Sequence, residues 1–148
     1  GLALLADFRV GGPKTGILMA FANVGLAGDT AVTWTLPRLV GHAKATELLM
    51  LAQPVDSATA LRLGLLTTLV DDDEAVLPAA LELARRLAAG PTVAYGQIKR
   101  QLLVGASGTL AESLAIESEA QAIAGATDDH KDSVAAFVAK QRPVFNGR

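Results

Sequence analysis

The 148-residue chain contains no cysteine, and aromatic residues make up only 4% of it. The lack of cysteine excludes disulfide scaffolds, zinc–thiolate sites and thiol nucleophiles, and it makes a reducing cytoplasm the expected location. Hydrophobic residues nevertheless make up 51% of the chain. Since few of them are aromatic, they are mostly Ala, Leu and Val. That composition favours closely packed helices with a surface that is buried against another chain.

Basic clusters and long apolar runs are missing as well. The formal net charge is −2, with acids and bases spread along the chain, so no basic patch predicts a nucleic-acid partner. The longest uncharged stretch covers residues 15–28, fewer than the roughly 20 helical residues that cross a bilayer. No membrane segment is therefore predicted. Neither His42 nor His130 has metal-ligand spacing to another ligand, so no metal site is predicted.

Asp29 is the one acid with an unusual setting, because it is the only charged residue between Thr15 and Leu36. In a structural interpretation it is the N-cap of a short helix from Thr30 to about Leu36, which Pro37 ends. In a functional interpretation it is a general base.

The two interpretations of Asp29 conflict physically. A carboxylate that accepts helix N–H bonds has a lowered pKa and is a poorer base. An uncapped carboxylate among Ala27, Val32 and Trp34 would have a raised pKa, which suits proton transfer.

The hydrophobic pattern predicts a mixed α/β part up to about residue 70 and an all-helical part after it. Strands are expected at Phe8–Val10, Gly16–Phe21 and Leu65–Val70, each a short apolar run next to turn signals. Asp56 is a predicted N-cap, and the Thr109–Glu112 pair is a predicted capping box. The expected helices cover residues 42–53, 57–63, 71–89, 92–104, 109–124 and 127–140.

Three segments in order carry a resemblance to a known family: ALLADFRV, MAFANVGLAGDTAVTWTLPRLVGHAKATELLMLAQPVDSATALRLGLL and ATDDHKDSVAAFVAKQRPVFNGR. They resemble the crotonase superfamily, the enoyl-CoA hydratase/isomerase proteins, over essentially the whole chain. The resemblance implies an α/β fold, the second half of a crotonase (ClpP/crotonase-like) ββα spiral. Residues 1–88 would form the remaining spiral core, and residues 89–148 a helical oligomerisation and CoA-contacting region. The implied assembly is a homotrimer or a dimer of trimers.

The same resemblance implies that an N-terminal half of the protein precedes the chain. That half would carry the two backbone N–H groups of an oxyanion hole, which in this family holds the acyl thioester carbonyl. Donors aimed at a developing enolate oxygen are usually the largest catalytic term. We therefore expect the 148 residues alone to be inactive.

The resemblance is closest to the isomerase-like branch, which includes the ring-epoxyphenylacetyl-CoA isomerases. The two glutamates of common hydratases fall on Gly1 and Phe21, whereas the single catalytic Asp of this branch falls on Asp29 in GLAGDTAVTWTLPR. The leading hypothesis is an enoyl-CoA isomerase in which Asp29 alone moves the proton. The alternatives are an enoyl-CoA hydratase and a non-catalytic acyl-CoA-binding or scaffolding member.

Two departures from that branch stand beside Asp29. Gly28 replaces a proline, and Thr30-Ala31-Val32 replaces a stretch of small, Gly-rich residues, so the bulkier Val32 is expected to narrow or reshape the acyl pocket. No cofactor is implied, because the coenzyme A thioester is the substrate. The substrate-binding residues that the resemblance implies are Phe21, Leu26, Val32, Trp34, Phe137 and Lys140, with the last two reaching the CoA of a neighbouring subunit.

Overall fold

The computed structural model describes all residues 1–148 and divides into two compact units, Gly1–Glu82 and Leu83–Arg148. The first unit contains a small parallel sheet of two strands, β1 (Val10–Gly11) and β2 (Thr68–Leu69). The division falls ahead of the predicted boundary at residue 88, and the roles predicted for the two parts remain predictions.

Most of the remaining chain is helical. Short 3-10 helices cover Leu2–Leu5, Ala20–Val24 and Asp73–Ala75. The α-helices are α1 (Val32–Val40), α2 (His42–Leu51), α3 (Ser57–Arg62), α4 (Val76–Ala88), α5 (Thr92–Gly105), α6 (Leu110–Gly125) and α7 (Asp128–Val138). None of them is both long and apolar enough to cross a membrane.

The core of the first unit forms around the buried face of α1. Val32, Leu36 and Leu65 are fully buried, at 0% exposure each, and α2 packs along α1. Burying one such aliphatic side chain is worth about 1.5–3 kcal/mol relative to leaving it exposed. This core therefore fixes the residues at the start of α1 firmly in place.

The predicted strand at Gly16–Phe21 is wrong for most of its length. Only Ile17 pairs with another segment, through an antiparallel bridge to Val55, with N···O distances of 2.9 and 2.8 Å. The chain then turns into the 3-10 helix Ala20–Val24, which Gly25 ends in a left-handed conformation with φ 70°. An apolar run predicts burial, but only a partner along its length makes it a strand.

The predicted bounds of α1 are also wrong. The helix begins at Val32, and it continues past Pro37 to Val40, where Gly41 ends it with φ 80°. Proline removes one backbone hydrogen-bond donor from the helix, which disfavours a helix that continues past it. Tertiary packing outweighs this loss here, because the preceding residue, Leu36, is fully buried. The N–H of Gly41 still donates to the carbonyl of Pro37 at 2.9 Å.

Local capping signals predicted the starts of α3, α6 and α7 correctly, whereas the helix expected from Asp71 begins as α4 only at Val76. The Asp56 carboxylate accepts a hydrogen bond from Thr59 N at 2.7 Å, and the Thr109–Glu112 capping box is complete. These backbone N–H bonds, reinforced by the threonine hydroxyls, lower the pKa of Asp56 and of Glu112. Thr127 caps α7 through His130 N at 3.1 Å.

The second unit is built on the packing of α5 against α6. Arg100 and Glu119 join the two helices through a pair of hydrogen bonds of 2.9 and 3.3 Å. The buried carboxylate of Asp129 accepts hydrogen bonds from the backbone N–H groups of Asn146 and Gly147, so it ties the C-terminal residues to the start of α7. Large apolar side chains nevertheless stay exposed on this unit, among them Leu102, Leu103, Leu110, Leu114, Phe137 and Val138.

Candidate active site around Asp29

Asp29 lies in the turn that leads into α1, but it is not the N-cap of that helix. Ala31 occupies the N-cap position, and no side chain caps the helix there. Asp29 contributes only its backbone carbonyl, which accepts a hydrogen bond from Val32 N at 2.9 Å. The N-cap interpretation is therefore wrong, and the carboxylate is not engaged by helix amides.

The carboxylate of Asp29 makes one hydrogen bond within the chain. Its Oδ1 accepts from the hydroxyl of Thr30 at 2.8 Å, and Oδ2 has no partner in the chain. The apolar enclosure that was predicted is not formed by these residues, because Asp29 and Ala27 are exposed and Trp34 is 46% exposed. In this chain the acid is presented on the surface of a turn.

The turn itself has an unusual backbone. Thr30 and Ala31 both have positive φ, 50° and 59°, although neither is glycine. A left-handed conformation costs an L-residue roughly 1–2 kcal/mol. Such strain persists only where the surrounding structure determines the conformation, and it is concentrated at functional sites.

Close packing on both sides holds this turn. On the helix side, the fully buried Val32 anchors the chain in the core. A Cβ atom added to Gly28 would lie 2.6 Å from Cγ1 of Val32, and one added to Gly1 would lie 2.9 Å from Cβ of Thr30. Both distances are shorter than real contacts, so both positions require glycine if the turn is to keep its place.

The other predicted substrate-binding residues of the first unit have different surroundings. Phe21 is half-buried against the core, and Leu26 is 65% exposed. The Trp34 ring lies beneath the guanidinium of Arg38, with 4.0 Å between Cζ and the ring centroid. Val32 is fully buried, so the structure does not support direct contact between its side chain and a ligand. Asp29, Val32 and Trp34 thus share one helix start.

The remaining two predicted residues belong to the second unit. Phe137 is 83% exposed near the end of α7. Lys140 follows the helix with φ 55°, a left-handed residue at a position where glycine is usual. Their backbone is fixed by the bond from Lys140 N to Phe137 O at 3.1 Å.

Sequence reasoning missed two residues that shape this part of the chain. Thr30 carries the hydroxyl that binds Asp29, and a Thr directly after the candidate acid was the available signal. Arg9 joins distant segments, because its guanidinium donates to the carbonyls of Leu65 and Gly64 at 2.7 and 3.2 Å. Burial lowers the pKa of Arg9, and nothing in its local sequence predicted these contacts.

An apolar groove of about 450 Å³ lies in the first unit, and Arg9 is the only charged residue in its lining. Gly1, which approaches the Asp29–Thr30 turn, lines this groove together with Leu4, Phe8 and Leu18. No group of three or more His, Cys, Asp or Glu side chains is arranged to hold a metal ion.

Comparison with known proteins decides the family. The model of the enoyl-CoA hydratase/isomerase family matches residues 1–148. The chain belongs to the enoyl-CoA hydratase/isomerase family. It is 36% identical, over 99% of its length, to the 1,2-epoxyphenylacetyl-CoA isomerase of Escherichia coli K12. It is 34% identical, again over 99% of its length, to a protein of Rhodobacter capsulatus named as a probable enoyl-CoA hydratase.

Solved structures of this family share the fold. A crystal structure of an enoyl-CoA hydratase/isomerase from Mycobacterium abscessus superposes with a TM-score of 0.96 at 41% identity, covering 99% of this chain and 56% of that one. The helices and small parallel sheet described above are therefore part of a crotonase fold. The chain spans 56% and 57% of the lengths of the two relatives named above.

The contact between Gly28 and Val32 generates a stability prediction. Replacing Gly28 by Ala should destabilise the protein by about 1–3 kcal/mol, because the new methyl group overpacks against a side chain that cannot move. In a Val32→Ala background the same replacement should cost little, since the opposing methyl groups are gone. A double-mutant cycle measured by urea unfolding checks this. Equal costs of Gly28→Ala in both backgrounds would contradict the packing described.

Proposed function

We propose that the protein to which this chain belongs is an enoyl-CoA isomerase that moves a double bond by proton transfer through Asp29 alone. The observation that carries the proposal is one carboxylate, uncapped, with one oxygen unpartnered, on a turn held by the core. Similarity to a 1,2-epoxyphenylacetyl-CoA isomerase supports an isomerase more than a hydratase.

The proposed chemistry needs a single acid–base group. Oδ2 of Asp29 removes a proton from the carbon next to the thioester carbonyl: the C–H bond breaks, an O–H bond forms, and the electron pair moves into a thioester enolate. The new carboxylic acid then returns its proton to the far end of the conjugated system, so the double bond shifts and Asp29 is again ionised. Placing the acceptor oxygen within hydrogen-bond reach of the substrate is the first requirement of such catalysis.

The hydratase alternative rests on the names of other relatives, one of them 34% identical. Hydration requires a group that positions and activates water in addition to the proton donor. Gly1 and Phe21, where this family's hydratases were expected to carry glutamates, have no side-chain carboxylate. That difference favours the isomerase.

We propose further that the rest of the protein completes the site. Because the relatives are longer than this chain, residues outside it would supply the oxyanion donors and cover the exposed face of Asp29. Excluding water strengthens each electrostatic interaction in a site. The exposed Phe137 and Lys140 would contact the CoA of a neighbouring subunit in a homotrimer or a dimer of trimers, and the cytoplasm is the proposed location.

The backbone of Lys140 supports a role for its side chain. Glycine would adopt φ 55° without strain, so a lysine at this position makes the protein less stable than a glycine would. A cation that can bind phosphate is one physical reason for that cost.

The role of Asp29 is tested by Asp29→Asn in the full-length protein. This substitution keeps the shape of the side chain and removes its basicity, so kcat for enoyl-CoA isomerisation should fall by two to four orders of magnitude, roughly the contribution of general acid–base catalysis. Binding of the acyl-CoA should stay within about threefold. The exposed Asp71→Asn is the matched control, with unchanged turnover expected. Full activity of Asp29→Asn would refute the proposal.

The role of Lys140 is tested by Lys140→Gly. Relief of the left-handed strain should raise stability by about 0.5–1 kcal/mol in urea unfolding, while KM for the acyl-CoA rises about tenfold through loss of a charged contact. Lys140→Arg should keep the KM and gain no stability. A stabilised Lys140→Gly variant with wild-type KM would exclude a part in binding.

A further inference from the structure

The side chain that fixes the orientation of Asp29 is a further part of the site. We infer that Thr30 is a positioning residue: its hydroxyl holds Oδ1 of Asp29 so that Oδ2 is the oxygen presented to the substrate. This inference rests on the proposed function of Asp29 and names a second residue on which that function depends.

The first observation is the hydrogen bond itself. Thr30 Oγ1 donates to Asp29 Oδ1 at 2.8 Å, and no other group of the chain binds this carboxylate. An exposed Asp rotates about two side-chain torsions, and one charge-assisted hydrogen bond is enough to favour a single orientation. With Oδ1 occupied, the remaining acceptor oxygen has a defined direction.

The second observation is the conformation of Thr30. Its φ of 50° is one that threonine, with its branched Cβ, adopts at a cost. Asn, Asp and Gly are tolerated better in this region, so the backbone alone does not explain why a threonine stands here. The hydrogen bond from the Thr30 hydroxyl to Asp29 explains the threonine.

The third observation is the close packing around this turn. Cβ of Thr30 faces Gly1, where an added Cβ would lie 2.9 Å away. On the other side, Val32 N donates to Asp29 O at 2.9 Å, and the Val32 side chain is fully buried. Thr30 therefore lies between Gly1 and the anchored start of α1, and this packing limits the movement of its hydroxyl.

The test compares substitutions at Thr30 in the full-length protein. Thr30→Val has the same shape and the same branched Cβ but no hydroxyl, so its kcat should fall about 10- to 100-fold, with KM within about twofold of the wild type. Thr30→Ser restores the hydroxyl and should stay within about threefold of wild-type kcat. Thr33→Val, on an exposed threonine in the first turn of α1, is the matched control and should behave as the wild type.

A second variant separates positioning from folding. Thr30→Gly removes the strain together with the hydroxyl, so its melting temperature should equal or exceed that of the wild type while its kcat falls as in Thr30→Val. A residue with a purely structural role would show activity and stability changing in the same direction.

The outcomes distinguish this inference from the proposed function. If the wild type isomerises enoyl-CoA and Asp29→Asn does not, but Thr30→Val and Thr30→Gly keep wild-type kcat, the role of Thr30 is refuted and that of Asp29 stands. Equal losses in Thr30→Ser and Thr30→Val also refute it, since the hydroxyl would then be irrelevant. If Asp29→Asn turns over like the wild type, both statements fail together.

Discussion

The burial of Val32 beneath the turn that precedes α1 is the interaction on which the rest of the site depends. Because this side chain is fully enclosed, the first residue of the helix cannot shift, and the carbonyl of Asp29 is tied to its N–H. Two left-handed residues then connect the fixed helix to the chain before it. The position of the carboxylate is thus set by core packing, although the carboxylate itself is exposed.

The two departures from the isomerase-like pattern at Gly28 and Val32 have a common physical basis. A residue with a Cβ at position 28 would collide with the valine at position 32. Glycine at position 28 and valine at position 32 are therefore compatible with each other in this packing. The side chain of Val32 packs inward, so the expected narrowing of an acyl pocket by this residue remains a prediction.

Local signals in the sequence predicted the starts of α3, α6 and α7. The Asp56 cap and the Thr109–Glu112 box depend on residues within one turn of each other, so the sequence contains all the information they need. The pairing of β1 with β2 and the contacts of Arg9 join residues far apart in the chain, and no periodicity specifies them. The resemblance supplied the family and its fold.

The turn around Asp29 shows why the site was harder to predict than the fold. An Asp followed by Thr and Ala indicates an N-cap by ordinary preference, and the observed positive φ at Thr30 and Ala31 runs against that preference. Places where local preference fails in this way are expected at functional sites. The enclosure of Asp29 was predicted from the residues next to it in the sequence. Whether a side chain is enclosed depends instead on segments that are distant in the sequence.

The most direct measurement determines whether the full-length protein adds water to its substrate during turnover. The protein is incubated with an enoyl-CoA in water enriched in ¹⁸O. The products are then separated, and their masses are measured by mass spectrometry. Proton transfer by a single carboxylate predicts an isomeric enoyl-CoA with no ¹⁸O and no added water. A hydroxyacyl-CoA that carries ¹⁸O as the main product would contradict it.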